Sequence, residues 1–158
     1  MSKANQGRLY FFTSSYPYTG GRDRSFVEPQ LKYLAKHFDS VVLVPYLTAG
    51  EPYLLPDGIV CDTSLSKVRL NRFFNPMAWA MLFKNTEFIR EIVRRPDQVI
   101  SVLKYALLEN AVALWGRSYV KASLCYTLSM NAVTKGLAQL RENRSNFKVV
   151  CRGIGSDV

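Results

Sequence analysis

The residues with the clearest potential for chemistry lie in a loop after the first apolar run of the chain. That run, Leu9–Phe12, is followed by a loop that carries Gly20 and Gly21 directly before Arg22. Paired glycines let a backbone approach a ligand closely, and the helix predicted after the loop offers unpaired N–H groups to phosphate or sugar oxygens. The other interpretation is an ordinary flexible turn, and the dipeptide alone does not separate the two.

A second candidate site follows the last apolar run, where Arg152 precedes Gly153-Ile154-Gly155 and Asp157. A lone G-x-G is a weak signal. A dinucleotide site would need G-x-G-x-x-G directly after the first strand, and the glycines there have a different spacing. We therefore do not expect NAD or FAD as a cofactor. Asp23, Glu28 and Asp157 are the acids near the strand ends, and their spacing shows no pairing between them.

Metal and nucleophilic chemistry have few candidate residues. The chain has one histidine, His37, for which we predict a helix-terminal role. Zinc spacing, a Ser-His-Asp set and a Cys-His pair are therefore not expected, and no metal is predicted. Cys61, Cys125 and Cys151 are odd in number and lie in apolar runs, which predicts reduced, buried thiols instead of disulfides.

Positive charge is concentrated in one aromatic segment. The formal net charge is +9, from 21 Lys plus Arg and 12 Asp plus Glu, which favours an anionic partner. Over half of the excess lies between residues 67 and 95. A basic, aromatic helical patch can lie on an anionic membrane surface, and the alternative is core helices with solvated basic edges. The predicted membrane patch comprises Arg69, Arg72, Phe73, Phe74, Trp79, Phe83, Arg90 and Arg94. Because no nucleic-acid motif accompanies the charge, we expect no nucleic-acid partner.

The pattern of apolar runs predicts an α/β fold, a Rossmann-like parallel sheet flanked by helices, in one domain over residues 1–158. Short apolar runs suited to buried parallel strands alternate with helical periodicity. Strands are predicted at 9–12, 41–44, 59–61, 124–128 and 147–151, and helices at 25–38, 75–84, 86–95, 97–119 and 131–141. Ser25 and Glu28 have capping-box spacing, with Pro29 in the first turn. In such sheets ligands bind at the carboxyl ends of the strands, here the loops 13–24, 129–131 and 152–158.

Two segments resemble family 4 glycosyltransferases of the GT-B fold. The first is Phe12-Thr-Ser-Ser-Tyr-Pro-Tyr-Thr-Gly-Gly, continued by Ser25-Phe-Val-Glu-Pro-Gln-Leu-Lys-Tyr-Leu-Ala and Val41-Val-Leu-Val-Pro. The second is Leu124-Cys-Tyr-Thr-Leu-Ser-Met-Asn-Ala-Val-Thr-Lys-Gly-Leu-Ala, which precedes Arg152-Gly-Ile-Gly-Ser-Asp. Together they cover about half of the chain, whereas residues 50–120 match only in general character.

The resemblance implies a retaining transferase of cell-surface polysaccharide synthesis. Such an enzyme moves a sugar from a nucleotide-sugar donor to a glycan or lipid-linked acceptor without a metal or a further cofactor. It implies a donor and acceptor cleft at Gly20, Gly21 and Arg22 with Arg152, Gly155 and Asp157. Ile154 stands where the family usually has a histidine that hydrogen-bonds the transferred sugar. An isoleucine cannot make that hydrogen bond.

The resemblance covers only the N-terminal, acceptor-side half of that fold. The C-terminal nucleotide-sugar domain is expected to be absent, and catalysis assembled between two domains should then be lacking in this chain alone. Two alternatives stay open. One is a non-catalytic or split-enzyme module that pairs with a separate donor-domain chain or docks on membrane or glycan. The other is a free-standing nucleotide-binding protein.

Location is predicted from the absence of targeting signals. Met1–Gly7 is polar and has no apolar core of a secretory signal. We therefore expect a cytoplasmic protein, peripheral at the inner face of the membrane.

Overall fold

A computed structural model describes residues 7–119, 124–128, 131–142 and 148–152. The described ranges contain five strands and six α-helices, with four of the helices in one run between β3 and β4. The strands are β1 (Arg8–Thr13), β2 (Ser40–Pro45), β3 (Ile59–Cys61), β4 (Leu124–Thr127) and β5 (Lys148–Cys151). The α-helices are α1 (Arg24–His37), α2 (Ser64–Asn71), α3 (Pro76–Phe83), α4 (Thr86–Arg94), α5 (Val99–Tyr119) and α6 (Ala132–Glu142), and single 3-10 turns occupy Arg72–Phe74 and Pro96–Gln98.

The five strands form one parallel sheet in the order β3-β2-β1-β4-β5. The predicted α/β class and Rossmann-like parallel sheet are thus confirmed. The central strand β1 pairs with β2 from Arg8 to Thr13 and with β4 from Leu9 to Phe12. After β1 the chain forms β2 and β3 on one side of it and then β4 and β5 on the other side. The strand order therefore reverses between β1 and β4. In open α/β sheets this switch point is where ligands bind.

Continuous apolar runs form β1 and β2 because helices cover both faces of the sheet. On one face Leu9, Phe11, Val41 and Leu43 pack against α1. The opposite face packs against three helices, α2, α5 and α6; this larger core contains Tyr10, Phe12, Val42, Val44, Leu65, Leu108, Val112, Trp115, Cys125, Val133, Leu137 and Leu140.

The helices α3 and α4 lie on α5, away from the sheet. Their buried residues Ala78, Leu82 and Phe88 pack on Leu107 and Ala111 of α5. A buried hydrogen bond of 3.0 Å from Asn110 Nδ2 to the carbonyl oxygen of Ala78 fixes α3 against α5. Since asparagine oxygens accept hydrogen bonds from unpaired helix N–H groups, Asn75 and Asn85 cap α3 and α4. The middle of the chain is therefore a helical layer with its own small core.

Two local predictions about α1 are wrong. Ser25 lies inside the helix, which Asp23 precedes, and Glu28 forms a 2.7 Å ion pair with Arg24 instead of completing a capping box. Pro29 lies in the helix interior, beyond the first turn. An exposed proline there removes one backbone hydrogen bond, and packing of Val27 and Leu31 on the sheet holds the helix together.

The helix α2 was missed by the sequence pattern, which placed the first helix of the middle region at residue 75. Its periodicity is weak because only Leu65 and Ser66 are buried. What holds α2 in place is tertiary. Leu65 is fully buried in the larger core, and the indole Nε1 of Trp115 donates to the hydroxyl oxygen of Ser64 over 2.8 Å.

The thiol prediction is confirmed in part. Cys61, Cys125 and Cys151 form no disulfide, but only Cys125 is fully buried and the other two are half-buried. Burial raises the pKa of the Cys125 thiol to about 12, and burial together with the charge of Asp62 raises that of Cys61 to about 11. His37 is the last residue of α1, as predicted. Its Nδ1 lies 2.8 Å from the carbonyl oxygen of Tyr33.

The segment Pro96–Ser118 is long and apolar enough to cross a membrane by length and composition, with a mean hydropathy of 1.3 in its most apolar window. Of that window, 44% is buried inside the protein. The buried residues of this segment include Leu107, Leu108, Val112 and Trp115. The core of a globular protein accounts for such a helix equally well.

Candidate functional site at the carboxyl edge of the sheet

The switch point forms a narrow crevice between the ends of β1 and β4. Phe12, Thr13 and Ser14 line it from β1, and Thr127 and Leu128 from β4. Tyr46, Leu65, Asn131 and Val133 complete its wall. The crevice has a volume of about 20 Å³, which is room for an ordered water molecule and not for a nucleotide.

Most polar groups of the crevice are already bonded within the protein. The hydroxyl of Thr13 donates to the carbonyl oxygen of Tyr16 over 2.6 Å. The hydroxyl oxygens of Thr127 and Thr134 are 2.9 Å apart. The side-chain oxygen of Asn131 accepts from the backbone N–H groups of Val133 and Thr134, which caps α6. The crevice is thus a well-packed floor, and a ligand of appreciable size would have to lie above it, among the loops.

The loop after β1 is closed by one carboxylate. Asp23 accepts hydrogen bonds from the backbone N–H of Ser15, from the hydroxyl of Ser15 and from the backbone N–H of Tyr16, over 3.1, 2.8 and 3.1 Å. Because its carboxylate faces the loop, Asp23 gives α1 no side-chain cap. Hydrogen bonds to an ionised carboxylate are among the stronger ones in proteins. The segment from 15 to 23 is consequently an ordered platform at the edge of the sheet.

The paired glycines sit where no side chain fits. A Cβ atom on Gly20 would lie 2.6 Å from the carbonyl oxygen of Ala49, and one on Gly21 would lie 1.3 Å from the hydroxyl oxygen of Ser15. Both distances are far inside van der Waals contact. The glycines are therefore required for packing, which is a structural reason for their presence that holds with or without a ligand.

The loop 46–53 supports this platform from the side of β2. Thr19 and Gly20 donate their backbone N–H groups to the carbonyl oxygens of Glu51 and Ala49 over 3.0 and 2.9 Å. Tyr53 stacks on Tyr16 with ring centroids 6.3 Å apart. The guanidinium of Arg24 lies 4.2 Å from the ring centroid of Tyr53. The sequence predicts no strand or helix between residues 46 and 58, because pairing between two loops leaves no periodic signal.

The predicted cleft residues are brought together in part. Gly20, Gly21 and Arg22 follow β1, and Arg152 follows β5, so all four lie at the carboxyl edge of the same sheet. Arg22 and Arg152 are exposed. The backbone N–H of Arg152 donates to the carbonyl oxygen of Thr127 over 2.9 Å, which places Arg152 beside the end of β4. The predicted residues Ile154, Gly155 and Asp157 lie outside the described residues.

The residues of the predicted membrane patch fall into two groups that differ in burial. Phe73, Phe74, Phe83, Arg90 and Arg94 are exposed, and Trp79 is half-buried. Arg69 and Arg72 are also half-buried, and the Nε atom of each is shielded from solvent without a hydrogen-bond acceptor among the described residues. Their guanidinium groups rest on the rings of Tyr46 and Phe73. These two arginines therefore belong partly to the interior.

The titratable groups described at this edge are mostly engaged within the protein. Within the described ranges no three His, Cys, Asp or Glu residues are grouped to hold a metal ion. Burial raises the pKa of the Tyr16 phenol, and a hydrogen bond from Arg24 lowers the pKa of Glu28. The Asp23 carboxylate is engaged with Ser15 and Tyr16. The described part of the edge offers arginines and backbone groups to a ligand.

Sequence reasoning missed Tyr46 and Asn131 as residues of the crevice. Tyr46 directly follows β2, so its position after an apolar run was a usable signal. Asn131 was within one of the loops weighed, and asparagine before a helical run is a common capping residue. Comparison with protein-family models, curated proteins and solved structures finds no match for this chain.

Proposed function

We propose that the chain is the acceptor-side domain of a retaining sugar transferase, an enzyme that transfers a sugar from a nucleotide-sugar donor to a glycan or lipid-linked acceptor. One observation carries the proposal. The two segments that resemble family 4 glycosyltransferases, the loop after β1 and the unit from β4 to Arg152, lie at the same edge of the sheet. β1 pairs directly with β4, and β4 with β5.

The described edge suits saccharide recognition by rigid groups. The platform of residues 15–23 is fixed by Asp23 and by loop 46–53, so little conformational entropy is lost when a ligand binds there. Arg22 and Arg152 are exposed at this edge, and their side chains form no hydrogen bond or ion pair with another described residue. Arginine side chains can donate several hydrogen bonds at once to sugar hydroxyl or phosphate oxygens.

The proposal is tested by nuclear magnetic resonance of the ¹⁵N-labelled chain. Disaccharides of glucose, mannose and N-acetylglucosamine are titrated singly, and uridine and guanosine diphosphates are titrated in separate samples. We expect a glycan to shift amide signals of the loop from Ser14 to Asp23 and of Arg152. Arg152→Ala should weaken these shifts, and Lys32→Ala, at an exposed site on α1, should not. Nucleotide binding without any glycan response would favour a free-standing nucleotide-binding protein and overturn the proposal.

A second candidate function, docking on an anionic membrane, is favoured by exposed apolar side chains beside arginines. Phe74 is 85% exposed, Phe83 69% and Val93 76%. Arg90 and Arg94 are exposed and one helical turn apart on α4. Aromatic and aliphatic side chains next to cations bind the headgroup region of anionic bilayers. This property is compatible with a transferase that acts on a lipid-linked acceptor.

Sedimentation with phosphatidylcholine vesicles, with and without phosphatidylglycerol, tests the docking. We expect binding only to the anionic vesicles, and a loss of most of it in Arg90→Glu/Arg94→Glu and in Phe74→Ser/Phe83→Ser. Arg69 and Arg72 are left unchanged because their partial burial would confuse binding with folding. The matched controls on α1 are Lys32→Glu/Lys36→Glu and Phe26→Ser. Equal losses in these controls would show that only net charge and general hydrophobicity matter, against a defined docking face.

A further inference from the structure

A basic pocket lies beside the switch-point crevice, between the end of β2 and the first half of α5. Its walls are Tyr46, Arg72, Ser101, Lys104, Tyr105 and Leu108. Its volume is about 230 Å³, which far exceeds the space that a water molecule needs. Tyr46 lines both this pocket and the crevice. The pocket therefore opens close to the edge of the sheet where the proposed acceptor site lies.

The pocket carries positive charge without a counter-charge in its wall. Arg72 and Lys104 line it, and none of its described lining residues is Asp or Glu. Arg69 lies just behind, with its guanidinium carbon 5.1 Å from the ring centroid of Tyr46. Three carboxylates of α4 and α5 have cationic partners of their own: Glu87 and Glu91 pair with Arg90 and Arg95, and Glu109 pairs with Lys135.

Arg69 and Arg72 each have one N–H donor without an acceptor among the described residues. These donors are their Nε atoms, which are shielded from solvent. One bond orients the pair, since Nη1 of Arg72 donates to the carbonyl oxygen of Arg69 over 2.6 Å. Solvent does not reach these Nε atoms, so they do not face the pocket, but neither guanidinium has a carboxylate partner among the described residues. Guanidinium charges in such a partly dry site attract an anion strongly.

Hydroxyl groups beside Lys104 complete the lining. Ser101, Lys104 and Tyr105 stand three and four residues apart on α5, so that their side chains lie on one face of the helix. Two arginines or lysines with hydroxyl groups around a cavity are the common way in which proteins bind a phosphate. We infer that the pocket of Tyr46, Arg72, Ser101, Lys104 and Tyr105 binds the phosphate group of a small molecule or of a lipid headgroup.

This inference deepens the proposed function by giving the acceptor a phosphate, and in that respect it rests on the transferase assignment. Phosphate binding itself is measurable without any assumption about sugar transfer. Phosphate binding in a chain that shows no response to glycans would leave the pocket standing and remove the transferase. A response to glycans with no phosphate binding would support the transferase and overturn the phosphate pocket.

Calorimetric titration of the full chain with inorganic pyrophosphate and with a hexose 1-phosphate is the first arm of the test. We expect saturable binding that weakens ~10-fold or more in Lys104→Gln and in Arg72→Gln, because each removes a charge-assisted hydrogen bond. Ser101→Trp keeps every cation and fills the pocket, so it should abolish binding. Lys32→Gln is the control for loss of one exposed positive charge. Thermal unfolding of each variant checks that it folds.

The second arm measures sedimentation with vesicles that contain phosphatidic acid. Binding that Ser101→Trp reduces would identify a lipid headgroup as the source of the phosphate, and an effect confined to the first arm would identify a soluble phosphate compound. Absence of saturable binding in both arms overturns the inference. A second result would also overturn the inference: binding that persists in Ser101→Trp and that Lys32→Gln weakens as much as Lys104→Gln does. Diffuse attraction of the anion to a basic surface would then explain the binding.

Discussion

At the scale of single residues, Asp23 and Gly21 decide the shape of the loop after β1. Asp23 collects hydrogen bonds from Ser15 and Tyr16, and Gly21 leaves the space that the Ser15 hydroxyl occupies. The sequence suggested the glycines as a place where a ligand approaches the backbone. The structure shows that the loop itself packs closely against these glycines, with the Ser15 hydroxyl in the space that a Cβ atom of Gly21 would occupy.

We expect Asp23→Asn to destabilise the fold by about 1–3 kcal/mol, because an amide replaces one acceptor oxygen with a donor and leaves a partly buried N–H of the loop unpaired. The measurement is the free energy of unfolding from urea denaturation. Asp57→Asn is the matched control, since Asp57 is exposed in a neighbouring loop. Equal stability of Asp23→Asn and the wild type would contradict the role of Asp23 as the closing residue.

At the scale of elements, the contact of α5 with α6 contains the ion pair of Glu109 and Lys135. The two side chains are 3.6 Å apart, and Glu109 is the more buried partner. Burial raises the pKa of the Glu109 carboxyl and Lys135 opposes this only in part. Gly136 lies at the same contact, where a Cβ atom would be 2.6 Å from the carbonyl oxygen of Glu109. The two helices are therefore closely packed around a partly desolvated carboxylate.

A carboxyl whose pKa is raised by folding binds its proton more tightly in the folded state. Its contribution to stability is complete below pH 4.5, the unfolded value, and is lost as the pH rises through the higher folded pKa. We therefore expect Glu109→Gln to be more stable than the wild type at pH 7, by less than about 1 kcal/mol after allowance for solvent screening. The difference should vanish below pH 4.5.

Urea denaturation of both proteins across this pH range measures the difference, with Glu51→Gln at an exposed position as the control. A Glu109→Gln variant that is less stable at pH 7 would show that the ion pair outweighs the cost of burial.

At the scale of the whole molecule, Cys125 lies on β4, which pairs with β1 on one side and with β5 on the other. The Cys125 side chain is fully buried, and burial raises its pKa to about 12. Thiol reagents attack the thiolate and need access to it. Reaction at Cys125 consequently requires an opening that separates the layers of the fold, so its rate reports the stability of the sheet as a whole.

In a Cys61→Ser/Cys151→Ser variant we expect Cys125 to be unreactive toward a disulfide reagent at pH 8 and to react promptly once urea unfolds the chain. At low urea the logarithm of the rate should fall linearly as the free energy of unfolding rises, because the rate is proportional to the equilibrium constant for opening. A Cys61→Ser/Cys125→Ser variant, which retains the half-buried Cys151, provides the comparison. Prompt reaction of Cys125 in the native protein would contradict its place in the interior.

The sequence by itself determined the order and type of most elements. Fully apolar runs such as Leu9–Phe12 and Val41–Val44 have one stable place, the middle of a parallel sheet covered on both sides, and the helices between them must then lie on its faces. From this class alone it follows that the loops after β1, β4 and β5 meet at one edge. That much of the candidate site was predictable because it depends on topology.

Only the tertiary structure decided what occupies that edge. The start of α1, the helix α2 and the packing of loop 46–53 on Gly20 depend on contacts between residues far apart in the chain, which leave no local pattern. The basic pocket is of the same kind, because Tyr46, Arg72 and Lys104 come from three separate segments. Charge counting places these cations in one stretch, but whether a side chain faces solvent or a cavity is fixed by the packing of α5 against the sheet.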